Sequence, residues 1–599
     1  MNWNILNTTD FPLENFQEPN ELSKKTYNIN IRQSDIILGN DVMNDLEVFH
    51  PYDNANFRST VYYIFQEKCS TIGSKTFLEE LLKNPLCNVS NLNKRKECLN
   101  TLSNIDPNTY TNLLSQLKKT ETDFLWFFSQ NEKTVDELIN TIYFSFWILN
   151  KLNNDPVTMT SYNFYKIMIS PVLGILSPVI YFIIPFIILK YKFGHLFKMS
   201  FFTYVKMLYK SMTMSSNVLN LLNSGNTMLS RLQIVTYILS FLFYFQGIIN
   251  TVNVSQTAYK IVEFISNKVN NAFTYLKSCI QLNDNIWKNI ILPFEDSFVS
   301  TKIPFDDEST IQMLRDYKPF SSFTIFSHFG DQLVKYKNFN QFDFLNIVNK
   351  SYIIDALISI ITVKNEHELS FTKYNTSLSD TFVNSKKAWH LCVNKDVSVK
   401  NDFNFKNALI TGPNAGGKST LIKTLCLNVL LAQTITLTAS EYTEMTPFFF
   451  INTQINIPDS KGVESLFEAE MNRCLYILSV IKKHPEAKSL IVMDEIFNST
   501  NVIEAIAGAY SILQKISEFK NVMTVITTHF IYLTKLKKET SFVCYKMNVN
   551  IKKDHSIHFP YILSKGISKQ YVALELLKGR GFDESILNNA MTIKNKLAK

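Results

Sequence analysis

The sequence predicts a chain of two fold classes, a long α part followed by an α/β part with a mostly parallel sheet. Three observations predict it. Up to about residue 366 apolar residues recur at helical spacing, as in Phe77, Leu81, Leu82 and again in Leu114, Leu117. From about 367 to 599 short β-rich runs alternate with helical ones, the pattern of strands joined by crossover helices. A Gly-rich stretch, Gly412 to Ser419, stands between a strand candidate and a helix candidate.

The bulk properties bound the answer. At 599 residues the chain is too long for one compact core. It is 46% hydrophobic and 19% charged, which excludes a disordered or collagen-like polypeptide. The net charge of +8 is mild, compatible with an anionic partner without requiring one. Eight scattered cysteines without a Cys-x-x-Cys pair argue against a zinc site or disulfide framework and for a reducing compartment. Residues 1–33 are polar and Asn-rich and carry no basic-then-apolar signal, so an intracellular protein is expected, cytoplasmic or nuclear.

Taken in order, residues 1–34 read as a loose polar leader. Residues 35–166 read as helices punctuated by Pro85 and Pro107. Residues 167–259 hold two uncharged stretches, Ile167–Leu189 with 23 residues and Leu232–Tyr259 with 28. Between them lie Lys190, Lys192, Lys198, Lys206, Lys210 and Arg231 and no acid. Residues 260–366 return to a mixed-charge helical pattern, and 367–599 form the α/β domain.

Each uncharged stretch is long enough to cross a hydrocarbon core, which needs about 20 residues. Pro171, Pro178 and Pro185 recur every seven residues along the first, and membrane helices tolerate such prolines better than soluble ones. A spanning hairpin would put its basic connecting loop outside, against the positive-inside tendency. Three readings therefore stay open: a membrane-associated hairpin through 167–189 and 232–259, a basic loop resting on anionic lipid or nucleic acid, and a pair of helices buried in a bundle.

The chemistry concentrates in the last domain. Ala408–Thr411 is an apolar strand candidate that runs into Gly412-Pro413-Asn414-Ala415-Gly416-Gly417-Lys418-Ser419, and Thr420–Ala432 reads as a helix. Glycines let backbone N–H groups converge on phosphate oxygens, and the helix N-terminus adds the positive end of its dipole. Lys418 is expected to reach the β- and γ-phosphates of ATP and Ser419 to supply a hydroxyl to Mg²⁺. A chance Gly-rich turn is the bland alternative, disfavoured in a chain with 15 glycines. The apolar run Ser489–Met493 ends in Asp494-Glu495, an acid pair suited to Mg²⁺ coordination by Asp494 and water activation by Glu495. A third run, Met523–Thr527, ends at Thr528-His529, where His529 is a candidate γ-phosphate sensor.

Together these residues resemble the MutS family of DNA mismatch-repair ATPases, whose phosphate loop reads TGPNxxGKST and matches Thr411 to Thr420 here. The likeness extends to Asp494-Glu495-Ile496, to Thr528-His529-Phe530, to Ser465-Leu466-Phe467-Glu468-Ala469-Glu470-Met471 and to the closing segment Gly566 to Asp583. Weaker likenesses lie at Leu46–Phe49, Thr71–Lys75, Leu82–Leu86, Leu92–Arg95, Asp355–Leu357 and Ala388–His390. The resemblance implies an α + α/β chain, a helical core and lever domain followed by a P-loop ATPase of the ABC type. It also implies ATP and Mg²⁺ as cofactors, a homodimer with Ser465 reaching the nucleotide of the partner, and double-stranded or branched DNA as a partner.

Departures from the family pattern are equally plain. The family places two domains before the core, one of them with a mismatch-reading Phe-x-Glu wedge; fewer than 40 residues precede the core here and Phe16-Gln17-Glu18 reads as coincidence, so mismatch sensing by that route is expected to be absent. The usual Gly-Arg-Gly-Thr-Ser-Thr after the acid pair is replaced by Phe497-Asn498-Ser499-Thr500-Asn501, which looks like a divergent branch whose members can carry membrane-spanning segments. No adenine-stacking aromatic stands near Ser398. The apolar hairpin occupies the place of the family's DNA clamp. The expected activity is therefore ATP-dependent binding of mismatched or structured DNA, with a membrane-anchored mechanical ATPase as the alternative. A purely structural dimer is disfavoured by the retained Asp494-Glu495.

Overall fold

The computed structural model describes residues 19–51, 59–128, 141–192, 199–214, 228–320, 322–341, 343–375, 381–455, 466–498, 500–551, 557–568, 577 and 582–597. The helices used below are α1 (Ile72–Lys83), α2 (Val89–Ser103), α3 (Ser170–Lys192), α4 (Met228–Leu282), α5 (Leu345–His367), α6 (Lys418–Ile435), α7 (Leu466–Lys483) and α8 (Val502–Ser517). The strands of the largest sheet are β1 (Ile37–Leu38), β2 (Asn407–Thr411), β3 (Phe450–Gln454), β4 (Ser489–Asp494), β5 (Val522–Thr528), β6 (Phe542–Met547) and β7 (Leu563–Lys565). The chain is thus mixed helix and sheet, as the sequence predicts. It divides into two compact units, one of 1–22, 120–277 and 307–344, the other of 23–119, 278–306 and 345–599.

The second unit holds the sheet, in the order β1-β3-β4-β5-β2-β6-β7, parallel except where β7 runs against β6. β2, β3 and β5 are buried along their whole length and β4 along all but Asp494, as expected of strands covered on both faces. A smaller four-stranded sheet of Lys373–Tyr374, Val383–Ala388, Asn401–Phe405 and Tyr442–Met445 stands beside it in the same unit.

The helices begin where capping side chains allow. Thr71 accepts from Ser74 N at the start of α1, and Asn88 accepts from the amides of Ser90 and Asn91 at the start of α2. Helix α5 is long and apolar enough to cross a membrane, yet 89% of its apolar window is buried, so it is a core helix. Its buried Asp355 accepts from Ser70 N, Thr71 N, Thr71 Oγ1 and Ser74 Oγ at 2.7–2.9 Å, pinning the first turn of α1. Removing that carboxylate leaves several buried donors without their acceptor. Asp355→Ala is expected to cost about 3 kcal/mol, read as a lower urea midpoint, whereas a loss within ~0.5 kcal/mol would contradict it.

Residues 23–34, expected to be part of a loose leader, are instead laced into the second unit. Thr26 Oγ1 lies 3.2 Å from Tyr352 Oη, Arg32 Nη1 donates to Asp296 O at 2.6 Å, and Ser34 N donates to Asn84 Oδ1 at 3.1 Å. The polar residues that read as solvated are polar because they make these bonds. Residues 1–18 lie outside the described residues.

In the first unit the two uncharged stretches are helical. Ile167–Leu189 forms the end of a π turn, Tyr165–Ile169, and most of α3, and Leu232–Tyr259 lies within the 55-residue α4. Proline has no N–H for the carbonyl four residues back. The carbonyl that Pro171 cannot serve, Ile167 O, accepts from Ser255 Oγ of α4 at 2.5 Å. The one that Pro178 cannot serve, Gly174 O, accepts from Ser177 Oγ at 2.8 Å and Tyr244 Oη of α4 at 3.4 Å. Hydroxyls thus replace the bonds that Pro171 and Pro178 remove. Many apolar side chains on these helices are exposed, among them Ile175, Ile187, Leu242 and Phe243 at 55–65%.

Candidate functional site

The site is assembled at the C-terminal ends of three neighbouring parallel strands, β2, β5 and β4. Register pairs Thr528 with Thr411 and Thr527 with Asp494, so the segments following those strands emerge side by side, ~5 Å apart. The residues from Gly412 to Ser419, the pair Asp494-Glu495 and His529 come from these three exits. This is where an open α/β sheet presents its ligand site.

β2 turns at Gly412 into a short 3₁₀ segment, Asn414–Gly416, and then into α6. Gly417 has φ +84°, and a Cβ there would lie 2.8 Å from Tyr561 Cδ1, so glycine is required both by backbone and by space. No side chain caps α6. Its leading amides are therefore offered to an anion rather than to a Ser or Asp cap. Asn414, Ala415, Ser419 and Thr420 are exposed at the mouth, while Lys418 is buried.

Lys418 is folded back on the loop. Its Nζ donates to Gly412 O at 3.0 Å and Pro413 O at 3.2 Å, and it pairs with Glu495 Oε1 at 3.0 Å. Glu495 is shared: His529 Nδ1 lies 3.6 Å from its Oε2, and Asn498 Nδ2 donates to Oε2 at 3.2 Å. The His529 imidazole and the Lys418 ammonium, against the opposing effect of burial, hold the Glu495 carboxyl down at about 2. At 3.6 Å this contact is longer than an ordinary hydrogen bond. Asp494 accepts from Thr527 Oγ1 across the β4–β5 pair.

The turn after β4 is strained. Glu495 and Phe497, neither of them glycine, have φ of +52° and +61°. Such conformations cost about 1–3 kcal/mol each and persist only where surrounding packing imposes them. Phe497, at 3% exposure, supplies that packing as a member of the core beneath β4.

A cavity of about 430 Å³ opens beside the loop. Its polar end is Asn414 to Thr420, and its other walls are His390, Val393, Val397, Phe403, Met547 and Tyr561. None of these six walls is legible as a site residue in the sequence, and two of them, Tyr561 and His390, carry polar groups. Tyr561 arrives from the segment before β7, and Asn401 fixes it there by donating to Tyr561 O at 3.0 Å and accepting from Leu563 N at 2.7 Å. His390 is half-buried, and desolvation followed by nearby Lys423 holds it down at about 4, so its ring is neutral at ordinary pH. Its Nδ1 accepts from Cys392 N at 3.3 Å, which leaves the ring proton on Nε2.

The donor set fits Mg²⁺. Among the described residues no three His, Cys, Asp or Glu side chains cluster as a self-contained metal site. A hydroxyl at Ser419 and a carboxylate at Asp494 are hard-oxygen donors of the kind that suits an ion which retains most of its waters. Ser465, the residue expected to act across a dimer, lies outside the described residues.

Residues 408–598 match the family model MutS domain V. The DNA mismatch repair protein MSH3 of Saccharomyces cerevisiae is 27% identical over 294 residues, covering 45% of this chain and 28% of that protein. The Endonuclease MutS2 of Leuconostoc mesenteroides is 27% identical over 264 residues, covering 43% of this chain and 30% of that protein. The chain therefore matches less than a third of the length of either relative.

Proposed function

Because this chain belongs to the MutS family, through the domain V at residues 408–598, we propose that it is a Mg²⁺-dependent ATPase of the ABC type that acts as a dimer on mismatched or branched DNA. The observation that carries the reading is the convergence of the Gly412–Ser419 loop, Asp494-Glu495 and His529 at adjacent strand ends, with Lys418 and Glu495 in direct contact.

The resting contacts suggest an order of events. Lys418 exchanges its ion pair with Glu495 for the β- and γ-phosphates of ATP, while Ser419, Thr420 and the first amides of α6 orient those phosphates. Losing that partner raises the proton affinity of Glu495, which in the Lys418 pair is too weak a base to be useful. Glu495 then takes a proton from a water aligned with the γ-phosphorus, as the water oxygen bonds to phosphorus and the β–γ bridge breaks. His529 stays beside both groups as the sensor of the γ-phosphate. Mg²⁺, held by Ser419 and Asp494, would neutralise developing phosphate charge.

Tyr561 and the neutral His390 stand where an adenine would lie, replacing the aromatic missing near Ser398. Tyr561→Ala is expected to weaken ATP binding about tenfold, the worth of one stacked base at roughly 1–3 kcal/mol, and to leave tripolyphosphate binding unchanged. Calorimetry that finds equal ATP affinity in the variant would remove Tyr561 from the adenine site.

The dimer is supported by exposed apolar side chains, Met471 and Leu475 on α7, the helix that follows Ser465 in the chain, and Val502 and Ile503 at the start of α8. Sedimentation with and without ATP tests it, and a monomer under both conditions would sink it. DNA binding is tested with branched and mismatched duplexes over a salt series, where a steep loss of affinity with salt is expected.

One observation favours a second reading, a membrane-associated ATPase. At 100° per residue the exposed apolar side chains of α3, from Val172 to Ile188, sweep an arc of roughly 220°, wider than one neighbouring helix covers. The hydroxyls that serve the proline-freed carbonyls are what a helix in lipid needs. Lys190 and Lys192 at the end of α3 suit anionic headgroups. Flotation of the whole protein with anionic vesicles is the test, and its failure to float at low salt would discard the reading.

A further inference from the structure

We propose that Phe497 is a positioning residue for hydrolysis, tying the first turn of α7 to the turn that carries Glu495. The proposal rests on the ATPase reading above and adds to it how the water-activating carboxylate is aligned.

The backbone poses the question. In the turn following β4 the chain places a bulky aromatic at φ +61°, a conformation that glycine adopts freely and a phenylalanine does not. Something must hold the ring in place. Two contacts do so. The Phe497 ring packs edge-on against Phe467, with centroids 5.4 Å apart and planes at 60°. On its other side it fills the space over Gly508 of α8, where a Cβ would come within 3.2 and 3.3 Å of the Phe497 ring carbons.

Phe467 is the second residue of α7, and Gly508 lies in the helix that follows the catalytic turn. The ring is therefore wedged between two helices, while its backbone is two residues from Glu495. Glu495 itself sits at φ +52°, so its side-chain direction depends on how the next residues are held. Only Ile496, buried, lies between. A shift of the first turn of α7 must move the Phe497 ring or separate from it, and either event re-aims Glu495. Since α7 begins directly after Ser465, the wedge links the segment expected to meet the partner's nucleotide to the base of its own site. An aromatic in this position is a transmission element, which a glycine could not be.

The test is a kinetic cycle on the full-length protein. Phe497→Gly relieves the strain and deletes the ring, and kcat is expected to fall about 30-fold with the KM for ATP unchanged. Phe467→Ala should produce a similar fall, and the double variant should lose little more, because both changes cut one contact. Gly508→Ala presses on the ring from the opposite side without touching the turn, and it too should lower kcat with KM kept. Phe497→Leu, which retains bulk, should recover part of the lost rate. A Phe497→Gly protein with wild-type kcat, or single losses that multiply in the double variant, would overturn the proposal. If the wild-type protein shows no hydrolysis that depends on Glu495, the ATPase reading fails and this proposal falls with it.

Discussion

Glu495→Gln is expected to reduce ATP turnover by at least 100-fold while ATP still binds. A positioned general base contributes about 10²–10⁴ in rate, and glutamine keeps the size of glutamate but cannot accept the proton. The resting geometry adds a second expectation. Glu495 holds Lys418 at 3.0 Å, so removing its charge frees the lysine for phosphate, and ATP affinity should rise rather than fall. Phosphate release and equilibrium binding of a labelled nucleotide, measured on the same preparation, separate the two effects. Undiminished turnover would refute the role assigned to Glu495, and weaker binding would refute the competition for Lys418.

The pH dependence carries a definite sign. The Glu495 carboxyl is depressed from an ordinary 4.5 to about 2, so the stability it contributes is fully present above about 4.5 and is lost as pH falls toward 2. In the nucleotide-free protein it stays ionised throughout the neutral and mildly acid range. Glu495→Gln should therefore flatten the acid side of the unfolding profile below about pH 4.5, and an identical profile in both proteins would contradict the ion pair.

Lys418→Ala should weaken ATP binding by roughly 100-fold, since the lysine contributes charge-assisted bonds to phosphate worth about 1.5–3 kcal/mol each. The loss should be as large for tripolyphosphate as for ATP, because the lysine meets phosphates and not the base. That pattern is the inverse of the one expected for Tyr561→Ala. Nucleotide affinity within threefold of wild type would show that the loop does not hold phosphate.

How far the sequence reveals this site depends on how strictly chemistry constrains each part. The loop from Gly412 to Ser419 is legible because converging amides, a lysine and a hydroxyl must follow one another in a fixed order. Asp494-Glu495 is legible because an acid pair after an apolar run has few structural uses. The strands beneath them are legible too: β2, β4 and β5 span the predicted runs within two residues, since buried parallel strands are continuously apolar. Tyr561 is not legible, because it reaches the loop only through the fold of β6 and β7, far along the chain, and a lone tyrosine has no signature. β1 is invisible for another reason. Two residues, Ile37 and Leu38, make no periodicity, and their pairing with β3 exists only once the sheet is formed. The leader reading misses residues 23–34 because composition cannot tell solvated polar side chains from those bonded to Asn84, Asp296 and Tyr352. Phe497 is visible as a departure from the family pattern, but its meaning comes from φ and from the ring's neighbours.

The most direct test is phosphate release by the purified full-length protein supplied with ATP, with and without Mg²⁺. Turnover that requires Mg²⁺ and saturates with ATP is the expected result. A folded protein that binds no ATP and releases no phosphate in the presence of Mg²⁺ would contradict the account at its centre.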